Sequence, residues 1–185
     1  MTAAAVPLAP PPEGWTIEDV DALPENGVRY ELVDGVPRVM TPQRVKHQRA
    51  LKRLDAAVES AAPAGLSVWQ GIGVILAPDQ RPVPDLVVVT SSDDELCNIP
   101  AGQVVLVAEV VSRSSRSDDR FRKPAQYAQA GIRVYLRVEL EPPHVVAYVI
   151  GEDGLYVERG RAVPGELLTL SEPFAFSLDP ATLLR

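Results

Sequence analysis

The sequence predicts an α/β (α+β) fold: a mixed central β-sheet flanked by helices, with extra C-terminal strands. Three observations predict it. Residues 85–90 and Val104–Val111 are β-branched runs of the kind buried on both faces of a sheet. A helical segment precedes this pair and another follows it, so helices pack on the sheet. Three more strand-like segments then follow.

Each element has a local reason. Residues 1–14, MTAAAVPLAPPPEG, carry four prolines and no Lys or Arg. They lack the basic start and long apolar stretch of a signal peptide. They read as a disordered Pro/Ala-rich tail ahead of a single domain at 15–185. Thr16 and Asp19 mark a short helix start. Residues 28–33 read as a strand, Asp34-Gly35 as a two-residue turn, and 36–40 as the antiparallel return. Pro42 opens a helix to about Ala62, with Val45, Leu51, Leu54, Ala57 and Val58 as its apolar stripe. Pro63 and Gly65 end it. Residues 66–76 form a strand bent at Gly71 and Gly73. After the two central strands comes a Ser/Arg-rich turn at 112–117, then a helix ending near Gly131. Residues 133–139, 145–150 and 155–158 read as further strands.

Hydrophobic residues make up 46% of the chain and charged residues 23%, so it can bury a core and is not wholly disordered. The single cysteine, Cys97, excludes an internal disulfide. No apolar run approaches the roughly 18 residues that span a bilayer. A cytoplasmic protein without membrane contact is expected. The net charge of −7 argues against a nucleic-acid binder that uses its whole surface. The charge is uneven, however. Residues 1–43 and 138–185 each carry −5, whereas 44–137 carry +3. Only the middle segment attracts a phosphate backbone.

Two carboxylates are out of place there. Glu109 sits inside the apolar run Val104–Val111, where an unpaired charge costs several kcal/mol. It must be protonated, paired or bound to a metal. Asp85 poses the same problem at the mouth of the run 86–90. If the two strands are neighbours, both acids can share one cation. Oxygen ligands without nearby His or Cys suit Mg²⁺ or Mn²⁺. Two plainer arrangements stay open: Glu109 pairing with a structural arginine, and Asp85 capping a turn. Glu31 is a third candidate. It faces away from Tyr30 and Leu32, toward either the site or solvent.

With Tyr30, Glu31, Asp34-Gly35, Pro42, His47-Gln48, Pro84-Asp85 and Glu109-Val-Val-Ser112 in this order, the chain resembles the PD-(D/E)XK nuclease superfamily. Ser114, Asp119, Lys123, Tyr127 and Gly131 continue the likeness, which runs from about Trp15 onward. Within the superfamily it is most similar to the Uma-type family, described as bacterial restriction endonucleases. The resemblance implies a restriction-endonuclease-like core, Asp85 and Glu109 as metal ligands, Glu31 assisting, and DNA as substrate. A homodimer would suit a nuclease of this fold. The superfamily's lysine two positions after the second acid is here Val111. The resemblance implies that Lys123, on the following helix, stands in. Pro124 directly after it requires that the helix begin near Lys123 or kink there.

Catalytic candidates are therefore Glu31, Asp85, Glu109 and Lys123, the last either a reagent or a solvated lysine paired with Asp119. Two basic stretches, 43–53 and 113–123, each carry five Lys/Arg in eleven residues. From them Arg44, Lys46, His47, Ser112, Arg113, Ser114, Arg116 and Tyr127 are candidates for contact with DNA. His47 reads as a proton shuttle, a residue supporting the site from behind its ligands, or a solvent-facing residue, and Tyr127 as a phosphate contact or a packing residue. The expected activity is Mg²⁺- or Mn²⁺-dependent hydrolysis of DNA. The rivals are a binding module of the same fold without catalysis, and a metal-dependent hydrolase of another phosphoester.

Overall fold

A computed structural model describes residues 11–24, 27–90, 93, 95–112 and 115–184. Helix α1 (Ile17–Asp21) opens on a reciprocal cap: Asp19 N–H donates to the Thr16 hydroxyl, and the Asp19 carboxylate accepts from Thr16 N–H. Strands β1 (Tyr30–Val33) and β2 (Val36–Val39) form the expected hairpin. Asp34 and Gly35 both take positive φ, 49° and 70°, as a two-residue turn of this hand demands. Helix α2 (Val45–Ala61) follows. Next come β3 (Ser67–Gln70), β4 (Gly73–Ile75), β5 (Leu86–Val89), β6 (Asn98–Pro100) and β7 (Val104–Val111). Helix α3 (Lys123–Gln129) leads to β8 (Val134–Leu140), β9 (Pro143–Ile150), β10 (Tyr156–Ala162), β11 (Leu168–Leu170) and β12 (Phe176–Leu178).

The central sheet is six-stranded, in the order β10-β9-β8-β7-β5-β3. Only β7 and β8 run parallel in it. A parallel neighbour needs a crossover, and the segment carrying α3 provides it. Alternation along the strands sorts the core into two layers. Leu86, Val88, Leu106, Ala108 and Val110 pack with Leu51, Leu54 and Val58 of α2. Val87, Val89 and Val107 pack on the other side with Tyr127 of α3, Ile132 and Tyr135. Glu109 follows the parity of Val107, which turns it toward α3. No helix among the described residues is long and apolar enough to cross a membrane.

The structure departs from the expectations in four places. The strand predicted at 66–76 is two strands in different sheets, because Gly71 adopts φ of 60° and turns the chain; β4 pairs with β6. Helix α2 begins at Val45, since Arg44 is still extended. Val45 is 75% exposed, and the buried stripe instead runs through His47, Ala50, Leu51, Leu54 and Val58. The helix predicted after Ser117 is a wide π-type turn (Asp118–Arg122) joined to α3. Residues 11–14 are not part of a loose tail: Gly14 N–H bonds Pro11 O, and Trp15 N–H bonds Gly35 O. The rest of the predicted tail, 1–10, lies outside the described residues.

Candidate active site

Glu109 is 2% exposed. Its Oε1 accepts from Lys123 Nζ at 2.9 Å and from the Tyr127 hydroxyl at 2.7 Å. Burial pushes its carboxyl well above the usual range; Lys123 opposes this, while Asp119 and Asp85 add to it. The last registered pair between β5 and β7 is Leu86 with Ala108. One step beyond it Asp85 meets Glu109, and Asp85 N–H points at Glu109 Oε2 at 3.4 Å. Strand pairing thus brings together acids that are 24 positions apart.

Among the described residues Asp85 is held through its Oδ2. Val110 N–H donates to that oxygen at 2.8 Å, and His47 Nε2 lies 3.1 Å from it. Oδ1 has no hydrogen bond to the protein among the described residues. His47 is 3% exposed, on the inner face of α2. Burial disfavours its charged form, but the hydrogen bond to Asp85 and the carboxylate's charge prevail and raise its pKa.

Lys123 stands at the centre, 6% exposed. Its Nζ lies 2.9 Å from Glu109, 3.0 Å from Glu31 and 3.7 Å from Asp119. Burial works against the ammonium, yet the three carboxylates outweigh it and hold the pKa above its ordinary value. The proline beside it is accommodated because α3 starts at Lys123, which puts Pro124 in the first turn. Lys123 N–H bonds Asp118 O, five residues back, so the wide turn delivers the helix to the site. Glu31 faces inward and is fixed a second time, by Val83 N–H at 3.1 Å. Asp119 is 1% exposed, and its Oδ1 has no hydrogen-bond partner among the described residues. Burial pushes its pKa up to about 6, with Lys123 pulling the other way.

Other predicted residues have other positions. Tyr127 is fully buried against Tyr135, with its hydroxyl on Glu109, so it cannot reach a DNA backbone. His47 is neither solvent-facing nor a DNA contact, because the core stripe of α2 buries it behind Asp85. Lys46 is engaged by Glu141 at 3.0 Å and Leu140 O at 3.2 Å. The Ser112 hydroxyl closes a tight turn with Ser115 at 2.8 Å. Arg44 and Arg116 line a neighbouring cavity of about 200 Å³ and make no ion pair among the described residues. Arg113 and Ser114 lie outside the described residues.

Sequence reasoning passed over Asp119 as a member of the site. Its spacing from Lys123 and Tyr127, four and eight positions along one helical face, was the available signal. Glu139 is the counter-example. It too is a buried acid in an apolar strand, but Arg120 binds it through both oxygens, at 2.7 and 2.9 Å. The arginine-paired arrangement left open for Glu109 is the one Glu139 adopts.

These residues suit a hard cation. Glu31, Glu109 and Asp119 surround one lysine and Asp85 lies beside Glu109, so when ionised the four acids leave excess negative charge. The donor set is oxygen, and Asp85 Oδ1 is uncommitted. Among the described residues no three His, Cys, Asp or Glu side chains converge as a metal cage. An ion held by two carboxylates and completed by water or phosphate is the habit of Mg²⁺. Glu31, Asp85, Glu109, Asp119 and Lys123 line one cavity of about 180 Å³.

No curated protein matches the chain. Its fold is similar to a crystal structure from Anabaena variabilis described as a "putative nuclease belonging to DUF820". The TM-score is 0.72 at 15% identity, covering 91% of this chain and 97% of that one. The family model of Uma2, "Putative restriction endonuclease", matches residues 17–181. With nearly all of the folded segment inside that match, the chain belongs to the Uma2 family.

Proposed function

We propose that the protein is a metal-dependent endonuclease that hydrolyses DNA phosphodiester bonds. Asp85 and Glu109 would hold Mg²⁺ or Mn²⁺, and Lys123 and Glu31 complete the site. The observation that carries this reading is the 2.9 Å contact between Lys123 and Glu109. It supplies, from α3, the cation that Val111 does not supply from β7.

A divalent ion bound there would acidify an attacking water and polarise a phosphoryl oxygen. The protein's own groups divide the remaining work. His47 and Val110 N–H occupy Asp85 Oδ2 and so turn Oδ1 toward the cavity. Tyr127 and Lys123 fix Glu109 through Oε1, which leaves Oε2 on the side of Asp85. Lys123 remains charged because three acids surround it. It therefore serves as an electrostatic donor to charge developing on the phosphate, not as a base. Lys123 donates one hydrogen bond to Glu109 and pairs ionically with Glu31, and a remaining ammonium hydrogen would be offered to substrate.

The decisive experiment incubates supercoiled plasmid with the purified protein and Mg²⁺ or Mn²⁺, with chelator and Glu109→Ala as controls. Metal-dependent nicking that Glu109→Ala abolishes is expected. Undiminished nicking by Glu109→Ala refutes the assignment. Hydrolysis of a small chromogenic phosphodiester with the plasmid left intact points to another phosphoester. DNA binding without cleavage points to a module that has lost catalysis.

A further inference from the structure

The cavity that holds the carboxylates has a second cation at its mouth. Arg38 of β2 pairs with Glu31 of β1 in the hairpin register. Directly opposed residues in an antiparallel pair project from the same face. Glu31 reaches inward to Lys123, so Arg38 projects on the same side, and it lines the cavity together with Met40 and Gln43. Its Nη1 lies 3.2 Å from Asp118 Oδ2, and its side chain is 50% exposed.

Asp118 does not depend on that contact. Arg122 already donates a hydrogen bond to its Oδ1 at 3.1 Å and forms an ion pair with its Oδ2 at 3.0 Å. The Arg122 hydrogen bond is the main reason the Asp118 carboxyl lies below its usual range, and the charge of Arg38 contributes less. An ion pair this exposed holds weakly. Arg38 can therefore leave Asp118 at little cost. Lys123 is buried among three acids and cannot move in the same way.

Charge makes such a group necessary. Five acids and two cations line the cavity, and one of those cations is fixed. A phosphodiester entering it meets net repulsion even when a divalent ion is present. A guanidinium offers a planar fork matched to two phosphate oxygens.

We infer that Arg38 is a substrate-gripping residue, parked on Asp118 in the free protein and transferred to a DNA phosphate beside the scissile bond when substrate enters. This rests on the nuclease reading.

The test measures binding of a labelled DNA duplex by fluorescence anisotropy with Ca²⁺, and plasmid cleavage kinetics with Mg²⁺. Arg38→Ala should weaken binding about tenfold, the scale of one lost charge-assisted contact. KM should rise by more than kcat falls. Arg38→Lys should recover only part of the loss, because the fork is absent. Asp118→Asn, which releases Arg38, should tighten binding a few-fold, and that gain should vanish in the Arg38→Ala background. Arg159→Ala removes the same charge from an exposed position on β10 and should change little. Wild-type binding by Arg38→Ala, or an equal loss in Arg159→Ala, overturns the inference and leaves the nuclease reading intact. Failure of the wild-type protein to bind or cut any DNA overturns both.

Discussion

Lys123 Nζ and Glu109 Oε1 lie 2.9 Å apart, although one residue begins a helix and the other sits in the middle of the sheet. The contact neutralises part of a charge that β7 cannot otherwise carry. It also places an ammonium where a strand-borne lysine would have to reach.

Removing that ammonium tests both roles. Lys123→Met should lower kcat for plasmid cleavage by roughly 10²-fold or more, the scale of one lost transition-state donor. It leaves three acids facing one another, so the metal-free protein should also melt at a lower temperature. Lys123→Arg keeps the charge but not the shape and should recover little activity. Near-normal cleavage by Lys123→Met would remove Lys123 from the reaction.

His47 lies 3.1 Å from Asp85 Oδ2, and on the proposed reading it acts through that acid. His47→Ala should weaken Mg²⁺ binding by about 10- to 100-fold, the usual loss when a ligand's own partner is deleted. Titration calorimetry reads this without any substrate. Unchanged affinity with an intact fold would mean that Asp85 needs no outside orientation.

The buried acids set a pH dependence. Unfolded Asp119 releases its proton near pH 3.9, whereas the folded group keeps it to about 6. Glu109 is shifted in the same direction. Across that window the folded state binds more protons, so stability falls as pH rises. Asp118, Glu139 and Glu158 are shifted down, and their stabilisation is already complete above about pH 4.5. The metal-free protein should therefore lose thermal stability between about pH 4.5 and 6.5. Mg²⁺ should restore it increasingly over the same range, since the ion replaces protons. Asp119→Asn should flatten the metal-free profile, and an unchanged slope would exclude Asp119 as its source.

Val111→Lys restores the superfamily's usual spacing. With Lys123 already beside Glu109, a second buried ammonium adds repulsion and no new function. Cleavage should not increase, and the melting temperature should fall. A large gain in activity would show that Lys123 does not fill that role.

Some of this was legible in the residues and some was not. Asp85 and Glu109 stood out because each interrupts a long apolar run, and strand neighbours so rich in Val leave few other readings. Lys123 was reached only through resemblance, since no local pattern reports what a helix touches across a sheet. Of the readings open for His47, support of the site from behind Asp85 is the one the geometry favours and solvent exposure the one it overturns; a search for apolar periodicity steps over a histidine. Its positions with Ala50, Leu51, Leu54 and Val58 nonetheless form a regular inner face. Glu109 and Glu139 both interrupt apolar strands, yet one meets lysine and the other arginine. Arg137, two positions before Glu139 on the same strand, is the local sign of that difference, and Arg120 is the tertiary one. Strands β6, β11 and β12 are three residues each, too short for alternation to register.

The wide turn at Asp118–Arg122 bears on how such a chain tolerates insertions. A lysine on a strand is bound to a two-residue period, and one added residue sends it to the opposite side of the sheet. A lysine launched from a five-residue loop of helix already has slack built in ahead of it. Lengthening or shortening the upstream segment by one can be absorbed there, while the ammonium keeps its address. Moving the charge from strand to helix thus leaves Val110 and Val111, the end of β7, apolar, and it makes the lysine's placement robust to the kind of length change that surface segments accumulate.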